Sequence, residues 1–426
     1  MAKILSVFVG IIVSLMTVFG SVKVNPPKDE SDFVPVLRFT VASDSHVRSI
    51  GDGQCKKLRK TIKLGNTIAE RDEKYNSYDA AIFAGDLTNS GTAAQYTGFF
   101  SSIKSELKKE TQLIPIVAKS HDGNKMGKKS LTFFKELTGL DTDTHYVING
   151  FHFIGISAGN IKGEHYSEYQ RTWLREQLDA AVADDPMKPI FVAHHEHILN
   201  TVYGSSDFDG WGMDYFTDIL YDYPQIVDFS GHSHYPLNDP RSINQLEITT
   251  VGTGSLTYAE FTVDNERKVH PSGNDKNGQC WVVEVDAENR VRLRGYDLTS
   301  DSVLCEYILT NLTDINERQY SRSGHMAHSF PPYFANGTRV TYKNGKVNFP
   351  AAESSDSKII FLYRIKCLDA DGNELSSKWE LNDYWHVPSR TSFSVPVTLS
   401  SGTKTVSVTA ENAFGMRSDT IYCSVK

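Results

Sequence analysis

The chain has 426 residues, enough for one large domain and one small one. Hydrophobic residues make up 39% and charged residues 23%, a composition that excludes a disordered chain and a multi-pass membrane protein. The formal net charge of −8 provides no basic surface for wrapping nucleic acid, so we expect small partners rather than nucleic acid.

Residues 1–20 predict a signal peptide. Lys3 supplies a positive charge ahead of the apolar, uncharged run Ile4–Phe19, and Val18 and Gly20 are small residues suited to a cleavage site. The run is shorter than the ~20 apolar residues of a spanning helix, which favours a cleaved signal over an uncleaved anchor. We therefore expect a secreted or periplasmic/cell-surface protein without a stable transmembrane helix, whose fold begins near Phe33.

From Val36 to about Leu256, short apolar runs rich in β-branched residues alternate with longer amphipathic stretches. This alternation predicts an α/β domain in which strands and helices follow one another. The predicted strands are Leu37–Ala42, Ala80–Ala84, Leu113–Ala118, Phe151–Ile156, Ile190–Ala193, Ile226–Phe229 and Leu246–Val251.

Amphipathic periodicity predicts helices over Gln54–Glu70 and Tyr169–Ala183. The second helix has Ser167 as its N-cap and Gln170 at the capping-box position. Between two strand-like runs, Asn149-Gly150 predicts a two-residue hairpin turn, and an antiparallel hairpin would make the sheet mixed.

The C-terminal part of the chain has a different texture. Gln279–Leu298 predicts two strands that close the first domain, whereas beyond about Ser329 short alternating strands dominate and helical periodicity disappears. With its Thr-Ala-Glu-Asn-Ala-Phe-Gly stretch, this tail resembles a fibronectin type III or other immunoglobulin-like sandwich. The predicted strands there are Val340–Tyr342, Ile359–Leu368, Ser392–Leu399, Thr405–Ala410 and Ile421–Val425, and the predicted boundaries are a first domain at 33–300, a linker at 301–330 and the sandwich at 331–426.

Five scattered cysteines provide neither a CxxC metal site nor a disulfide scaffold. Cys367 and Cys423 both lie in predicted strands of the tail. They could form a disulfide if those strands are neighbours, or they could be two buried thiols; the sequence leaves both readings open.

Polar side chains cluster just after the predicted strands, where open α/β sheets bind ligands. Five strands run into Asp-x-His, Gly-Asp, Ser-His-Asp, His-His and Gly-His-x-His motifs, which contain the residues Asp44, His46, Asp86, His121, Asp122, His194, His195, His232 and His234. Carboxylates together with neutral imidazoles form the ligand set of Zn, Fe or Mn. One lone histidine at a strand end is usually structural, but five motifs in order predict a metal centre.

The order and spacing of these motifs over Val36–Leu256 resemble the calcineurin-like metallophosphoesterase superfamily. The resemblance implies an α/β fold, a four-layer β-sandwich flanked by helices. It also implies two divalent metal ions that activate a bridging hydroxide for attack on a small-molecule phosphoester.

The family's site residues carry over motif by motif. Asp44, His46 and His234 would hold one metal, and Asp86 would bridge both. His194 and His232 would hold the second, His194 being preferred over His195 because the family most often uses the first histidine of the pair. His121 would be the general acid, oriented by Asp122.

One position departs from the family pattern, which places an asparagine metal ligand where this chain has Ser120. A serine hydroxyl is a poorer ligand than an amide oxygen and its side chain is shorter, which puts the second metal site in question. Asn124 is an alternative donor, although a turn role for Gly123-Asn124 is favoured.

Two functions follow from this reading. The first is an exported phosphoesterase that hydrolyses a phosphomonoester or phosphodiester. The alternative is a catalytically weakened metal-binding or adhesion protein that acts through its C-terminal β-sandwich. The aromatic loop residues Tyr203, Phe208 and Trp211 could line a substrate pocket or simply pack a surface loop.

Overall fold

The computed structural model describes residues 32–123, 128–158, 165–356 and 359–425. The predicted signal peptide at 1–20 and Asn124 lie outside the described residues. The described chain divides into two compact units: the larger runs to Ala327 and includes Trp385–Val387, and the smaller comprises His328–Tyr384 and the chain from Pro388 onward. In these ranges, no helix is both long and apolar enough to span a membrane.

The larger unit contains a six-stranded sheet with three neighbouring parallel strands and three antiparallel strands. We call it sheet A. Its strands, in spatial order, are β16 (Ser302–Leu309), β15 (Val291–Asp297), β14 (Gln279–Asp286), β1 (Pro35–Ala42), β2 (Ala80–Ala84) and β3 (Gln112–Ile116).

A second six-stranded sheet, sheet B, has a parallel centre formed by β5, β6, β9 and β11, with an antiparallel strand at each edge. Its strands, in spatial order, are β10 (Ile243–Gln245), β11 (Thr249–Gly252), β9 (Ile226–Ser230), β6 (Ile190–Ala193), β5 (Phe151–Ile156) and β4 (Asp143–Ile148). Two small two-stranded sheets complete the unit: β7 (His197–Ile198) with β8 (Gly212–Met213), and β12 (Phe261–Val263) with β13 (Glu266–Val269).

Six α-helices lie in the described chain, accompanied by short 3-10 turns at Pro240–Ser242, Asn274–Lys276 and Ile315–Glu317. The α-helices are α1 (Gly53–Arg71), α2 (Ala93–Lys104), α3 (Lys128–Thr138), α4 (Glu168–Asp184), α5 (Thr217–Leu220) and α6 (Arg322–Ala327).

The two sheets pack face to face around an aromatic core. Phe39 of sheet A meets Phe153 and Phe191 of sheet B edge-on, with ring centroids 5.0 and 4.7 Å apart. Buried residues of α1, α2 and α3 pack against the other face of sheet A, and those of α4 and α5 pack against the other face of sheet B. The result is four layers, helix, sheet, sheet and helix, and the predicted mixed α/β fold is confirmed.

The local signals in the sequence were reliable. Strands β2, β5 and β6 have the predicted bounds, and α4 begins after Ser167 with the capping box to Gln170. Asn149 and Gly150 both have left-handed backbones, with φ of 53° and 76°, as a two-residue hairpin turn requires. This hairpin joins β4 to β5 antiparallel, so sheet B is mixed.

The predicted linker at 301–330 differs from the structure. Its first part, Ser302–Leu309, is β16, which pairs with β15 over its whole length. Leu304, Cys305 and Leu309 bury their side chains in the core between the sheets, and this burial makes the segment a strand of the larger unit rather than a connection.

The smaller unit consists of a three-stranded and a four-stranded antiparallel sheet. Its core contains Val347, Tyr363, Phe393 and Val408. The sequence pattern missed β18 and β20, and the assignment of the unit to the fibronectin type III or immunoglobulin-like class stays a prediction. The strands are β17 (Thr341–Lys343), β18 (Lys346–Pro350) and β21 (Ser392–Pro396) in one sheet, and β20 (Glu374–Leu381), β19 (Ile360–Leu368), β22 (Thr405–Asn412) and β23 (Ile421–Ser424) in the other.

The strand order answers the question about Cys367 and Cys423. Both residues pair with Val406, one from each side, so β22 lies between them. Strands two places apart are separated by ~10 Å, beyond the ~7 Å limit for the Cα atoms of a disulfide. The two thiols are free, as are those of the other three cysteines.

A buried ionic network ties β1 to the rest of sheet A. Arg38 is fully buried, and its Nε donates to Glu284 Oε1 on β14 at 2.7 Å. Its Nη1 donates to the Tyr75 carbonyl at 2.6 Å, and its Nη2 forms an ion pair with Asp72. A guanidinium that satisfies several groups at once is hard to replace, since each partner it leaves behind remains partly desolvated.

Replacing Arg38 by Met should lower the free energy of unfolding by about 3 kcal/mol, because it leaves buried acceptors unpaired. Urea denaturation followed by circular dichroism measures the change. The matched control is Lys108→Met, which removes a surface ion pair with Glu70 whose side chains are 42% and 61% exposed; there we expect a change below about 1 kcal/mol. Equal losses in the two variants would contradict the assigned role of Arg38.

Candidate metal centre

The carboxyl ends of five parallel strands meet at one edge of the two sheets. The segments after β1 and β2 are paired through their backbones: Asp44 N donates to Gly85 O at 3.0 Å, and His46 N donates to Asp86 O at 2.9 Å. On the side of sheet B, Gly231 N donates to His195 O at 2.9 Å. These bonds pair the polar loops within each sheet, and His232 N, which donates to Asp44 Oδ2 at 3.1 Å, joins the loops of the two sheets.

Asp44, His46 and His234 form the first group of converging ligand atoms. Their ligand atoms lie within 4.8 Å of one another, with 3.0 Å between the two Nε2 atoms and 3.1 Å between His234 Nε2 and Asp44 Oδ1. All three residues are buried.

Asp86, His195 and His232 form the second group, which adjoins the first. His195 Nε2 lies 3.3 Å from Asp86 Oδ2 and 3.1 Å from His232 Nδ1. The same oxygen of Asp86 is 3.8 Å from His46 Nε2 in the first group. One carboxylate oxygen therefore faces both groups.

His121 lies at the rim of this cluster. It forms a further group with His46 and Asp86, and its ring is 4.4 Å from the ring of His46, nearly perpendicular to it. Its Nδ1 is 3.1 Å from the carbonyl oxygen of Asn89. Because a carbonyl can only accept, Nδ1 carries the proton, and Nε2 is the atom that can exchange one.

The backbone of the cluster is strained. Asp44, His46, Asp86, His232 and His234 all have left-handed conformations, with φ between 43° and 70°. For a non-glycine residue this conformation costs roughly 1 kcal/mol or more, and it persists only where the surrounding structure enforces it. Here the paired loops enforce it at five of the predicted ligands.

Two glycines give the ligands room. A Cβ on Gly85, whose φ is 87°, would lie 2.3 Å from His195 Nδ1. A Cβ on Gly231 would lie 2.5 Å from both Asp44 Oδ2 and Ser43 Oγ. The glycines of the Gly-Asp and Gly-His-x-His motifs are therefore needed for close packing behind the ligands.

Burial and mutual charge set the protonation of the cluster. Burial lowers the pKa of His46 to about 3 and that of His232 to about 4, so both imidazoles are neutral near neutral pH. Burial by itself would raise the pKa of Asp86, but the neighbouring His195 outweighs it and holds the pKa well below the ordinary value. Neutral imidazoles and ionised carboxylates are the ligand forms that bind metal ions.

The structure corrects the preference for His194 over His195. His195 joins the second ligand group, whereas His194 points to the opposite face of β6, with its Nε2 2.9 Å from Oδ1 of the buried Asp228. Alternation along β6 explains the outcome, because His195 follows Phe191 and Ala193 on the face between the sheets. Since the strand is apolar on both faces, its sequence did not distinguish them.

The structure also corrects the role of Asp122. Its carboxylate accepts from Thr88 N at 2.8 Å, Leu87 N at 3.2 Å and Ala118 N at 3.0 Å, whereas Nδ1 of the His121 ring has the Asn89 carbonyl as its partner. Asp122 thus fastens the loop that carries Asp86 to the turn that carries His121. Burial, reinforced by the charge of Asp86, raises the pKa of Asp122 to about 7.

Ser120, at the position of the family's asparagine, lies beside the second ligand group. Its hydroxyl donates to Asp86 Oδ1 at 2.6 Å, and His121 N reaches the same oxygen at 3.2 Å. Both bonds leave Oδ2 of Asp86 directed at the histidines. Ser120 therefore orients the shared carboxylate.

The three aromatic residues predicted either to line a substrate pocket or to pack a surface loop lie in different surroundings. Tyr203 is partly buried against Tyr235, with ring centroids 4.2 Å apart, Phe208 is 47% exposed, and Trp211 contacts His232 with ring centroids 4.9 Å apart. Sequence reasoning missed Tyr258, whose ring lies 4.1 Å from that of His234. It follows β11 in an irregular loop, where no periodic pattern marks it.

The donor atoms of the first ligand group are suitable for binding a metal ion. Asp44 Oδ1 is buried, and within the described chain no donor meets it in hydrogen-bonding geometry. Two ring nitrogens, His46 Nε2 and His234 Nε2, converge beside it 3.0 Å apart, with no space for a water between them. Carboxylate oxygens and imidazole nitrogens at these separations form a suitable donor set for Zn, Fe or Mn.

Residues 37–236 match the family described as Calcineurin-like phosphoesterase. This match supports a calcineurin-like phosphoesterase domain over that region. A curated relative, the "Probable glycerophosphodiester phosphodiesterase GpdQ" of Arcobacter nitrofigilis, is 28% identical over 202 residues, which cover 45% of this chain and 70% of the relative.

Two solved structures are similar at low sequence identity. GAP50, the anchor in the inner membrane complex of Plasmodium, is 13% identical with a TM-score of 0.45 and coverage of 65% of this chain and 89% of its own. The purple acid phosphatase PPD1 from yellow lupin seeds is 13% identical with a TM-score of 0.46 and coverage of 66% and 55%.

Replacing Gly85 by Ala should cost one metal equivalent per chain, because the added methyl group displaces the ring of His195 in the second ligand group. Gly139→Ala is the matched control: its φ of 70° imposes comparable backbone strain, but nothing lies within 4 Å of the new methyl group. Metal content by elemental analysis and thermal melting should show loss of metal in the first variant and a small stability loss alone in the second. Full metal content in Gly85→Ala would contradict the packing argument.

His195→Ala and His194→Ala distinguish the two histidines. We expect the first variant to lose one metal equivalent per chain and the second to keep its full metal content. The second should instead be less stable by about 3 kcal/mol, because Asp228 loses its buried partner. Metal stoichiometry and urea denaturation check both expectations, and the reverse pattern would restore the prediction made from the sequence.

Proposed function

We propose that this protein is a metal-dependent phosphoester hydrolase acting on a small phosphomonoester or phosphodiester. The observation that carries the proposal is the shared carboxylate: Oδ2 of Asp86 faces His46 of one ligand group and His195 of the adjoining one. Two neighbouring cation sites joined by one carboxylate suit the binding of a phosphoryl group by two metals. The match of residues 37–236 to calcineurin-like phosphoesterases supports the same reaction class.

The metal ligands in this proposal are divided between two sites. Asp44, His46 and His234 would hold one divalent ion, and Asp86, His195 and His232 would hold the second, with Asp86 also facing His46 of the first site. When bound, such ions neutralise charge on phosphoryl oxygens and lower the pKa of water. Their identity as Zn, Fe or Mn is proposed from the donor set alone.

His121 is proposed to act on the leaving oxygen. The Asn89 carbonyl holds the ring with Nδ1 protonated, and this orientation frees Nε2 for proton exchange. In the imidazolium form, Nε2 donates its proton to the departing oxygen as the P–O bond breaks. The nearby His46 ring restricts how far His121 can turn.

Asp122 and Ser120 are proposed as positioning residues. Asp122 secures the backbone of Leu87 and Thr88 immediately after Asp86, and Ser120 orients the Asp86 carboxylate. Neither side chain is assigned a proton-transfer step. Export of the protein is proposed from the apolar Ile4–Phe19 run alone.

A substrate panel tests the function. The metal-loaded protein should hydrolyse aryl and alkyl phosphomonoesters or phosphodiesters, and it should lose this activity when a chelator removes the metal. Metal binding without turnover of any ester in the panel would favour the alternative of a binding protein acting through the smaller unit.

His121→Ala should lower kcat by ~100-fold for esters with poor leaving groups while leaving the metal content unchanged. The control is a comparison of esters with different leaving groups. A 4-nitrophenyl ester needs little protonation of its leaving oxygen, so its kcat should fall much less than that of a methyl or phenyl ester. Equal losses for all leaving groups, or loss of metal, would remove His121 from the acid role.

A further inference from the structure

A hairpin outside both large sheets contributes contacts on both sides of the candidate metal centre. It consists of β12 and β13, and its second strand leads directly into His270. Lys268 on this strand contacts Trp211, which lies against His232. His270 contacts Tyr258, which lies against His234. One short segment thus supports an aromatic residue beside each of the two ligand groups.

The contact on the His232 side places a cation close to the centre. Lys268 Nζ lies 4.6 Å from the centroid of the Trp211 ring, and the Trp211 and His232 centroids are 4.9 Å apart. Arg267 anchors the hairpin to the same loop by donating from Nη1 to the Phe208 carbonyl at 3.0 Å. The ammonium group is therefore held over Trp211 by a cation–π contact, one side chain removed from a predicted metal ligand.

The backbone at Lys268 is bent in a way that redirects its side chain. From the pair Phe261–Val269 to the pair Val263–Glu266, β12 advances by two residues and β13 by three, which defines a β-bulge. Lys268 lies within the bulge with a φ of 58°. A bulge next to a site re-aims a side chain, and glycine would accept this conformation at lower cost than lysine.

The charge of Lys268 is uncompensated. His270 Nε2 is 2.9 Å from Glu260 Oε2, so that basic side chain already has a carboxylate. Among the residues that the structure describes, Lys268 has no such ion pair, and its side chain is at the exposed surface. Of the three basic residues on this segment, His270 is paired with Glu260 and Arg267 is held at the Phe208 carbonyl, whereas Lys268 lies over Trp211 with no carboxylate partner in the described chain.

We infer that Lys268 determines specificity by binding a second anionic group of the substrate, beyond the reacting phosphate. This inference rests on the proposed function and names the substrate class as phosphoesters that carry a further carboxylate or phosphate. The reacting phosphate occupies the metal centre, and the second anion lies over the Trp211 edge of the site beside the ammonium group. Lys268 takes no part in bond breaking, so it affects substrate binding rather than the chemical step.

Matched substrates test this role. 4-Carboxyphenyl phosphate is compared with 4-carbamoylphenyl phosphate, which has nearly the same shape without the charge, and 1,3-propanediol bisphosphate is compared with propyl phosphate. In the full-length, metal-loaded protein, Lys268→Met should raise KM about 5-fold for the substrate of each pair that carries a second anionic group. The KM for the substrate without that group should not change. Lys268→Arg should retain the preference, and 0.5 M salt should weaken it.

The control variant is Lys276→Met, which removes the same charge from the exposed connection that follows the hairpin; its KM values should equal those of the wild type. A preference limited to the carboxylate or to the phosphate pair would identify which anion is recognised. Equal KM values within both pairs in the wild type, or an equal shift of both members in Lys268→Met, would overturn the inference. Absence of wild-type turnover of these phosphomonoesters and of every phosphodiester in the substrate panel would instead contradict the proposed function itself.

Discussion

The geometry of the site depends on how the Asp86 carboxylate is held. Oδ1 is occupied by the Ser120 hydroxyl and the backbone N–H of His121, so Oδ2 is directed at the histidines. Around it, carboxylates and imidazoles are packed closely in a buried space, an arrangement that is costly unless cations complete it. The left-handed backbone of Asp86 and the close approach of Gly85 to His195 are consequences of that crowding.

The fold supplies the rigidity that such crowding requires. The aromatic core between the two sheets ends directly beneath the strand termini, and the loops after β1 and β2 continue the pairing of their strands. Asp122 adds a third connection by fastening the backbone after Asp86 to the end of β3. These bonds preorganise the side chains on the loops, as a metal site requires.

The residues that surround the ligand groups are supplied by loops and by the β12–β13 hairpin. Trp211 and Tyr258 stand beside the two ligand groups, and the β12–β13 hairpin supports both of them. These residues come from loops and a bulged hairpin rather than from the sheets, so they can change without disturbing the ligands. Substrate preference is accordingly expected to be set at the rim and the reaction class at the strand ends.

The strands, the motifs at their ends and the Asn149-Gly150 hairpin could be predicted from the sequence, because local signals determine local structure. Apolar runs ending in Asp44-Ser45-His46 or Gly85-Asp86 marked both the strands and the chemistry, and Asn149-Gly150 marked its hairpin. Tertiary structure alone decided between His194 and His195, since a strand buried on both faces carries no sign of which face is inner. It also turned Asp122 away from its neighbour His121 toward Thr88, and brought Lys268 next to Trp211, because long-range contacts between loops leave no periodic trace in a sequence.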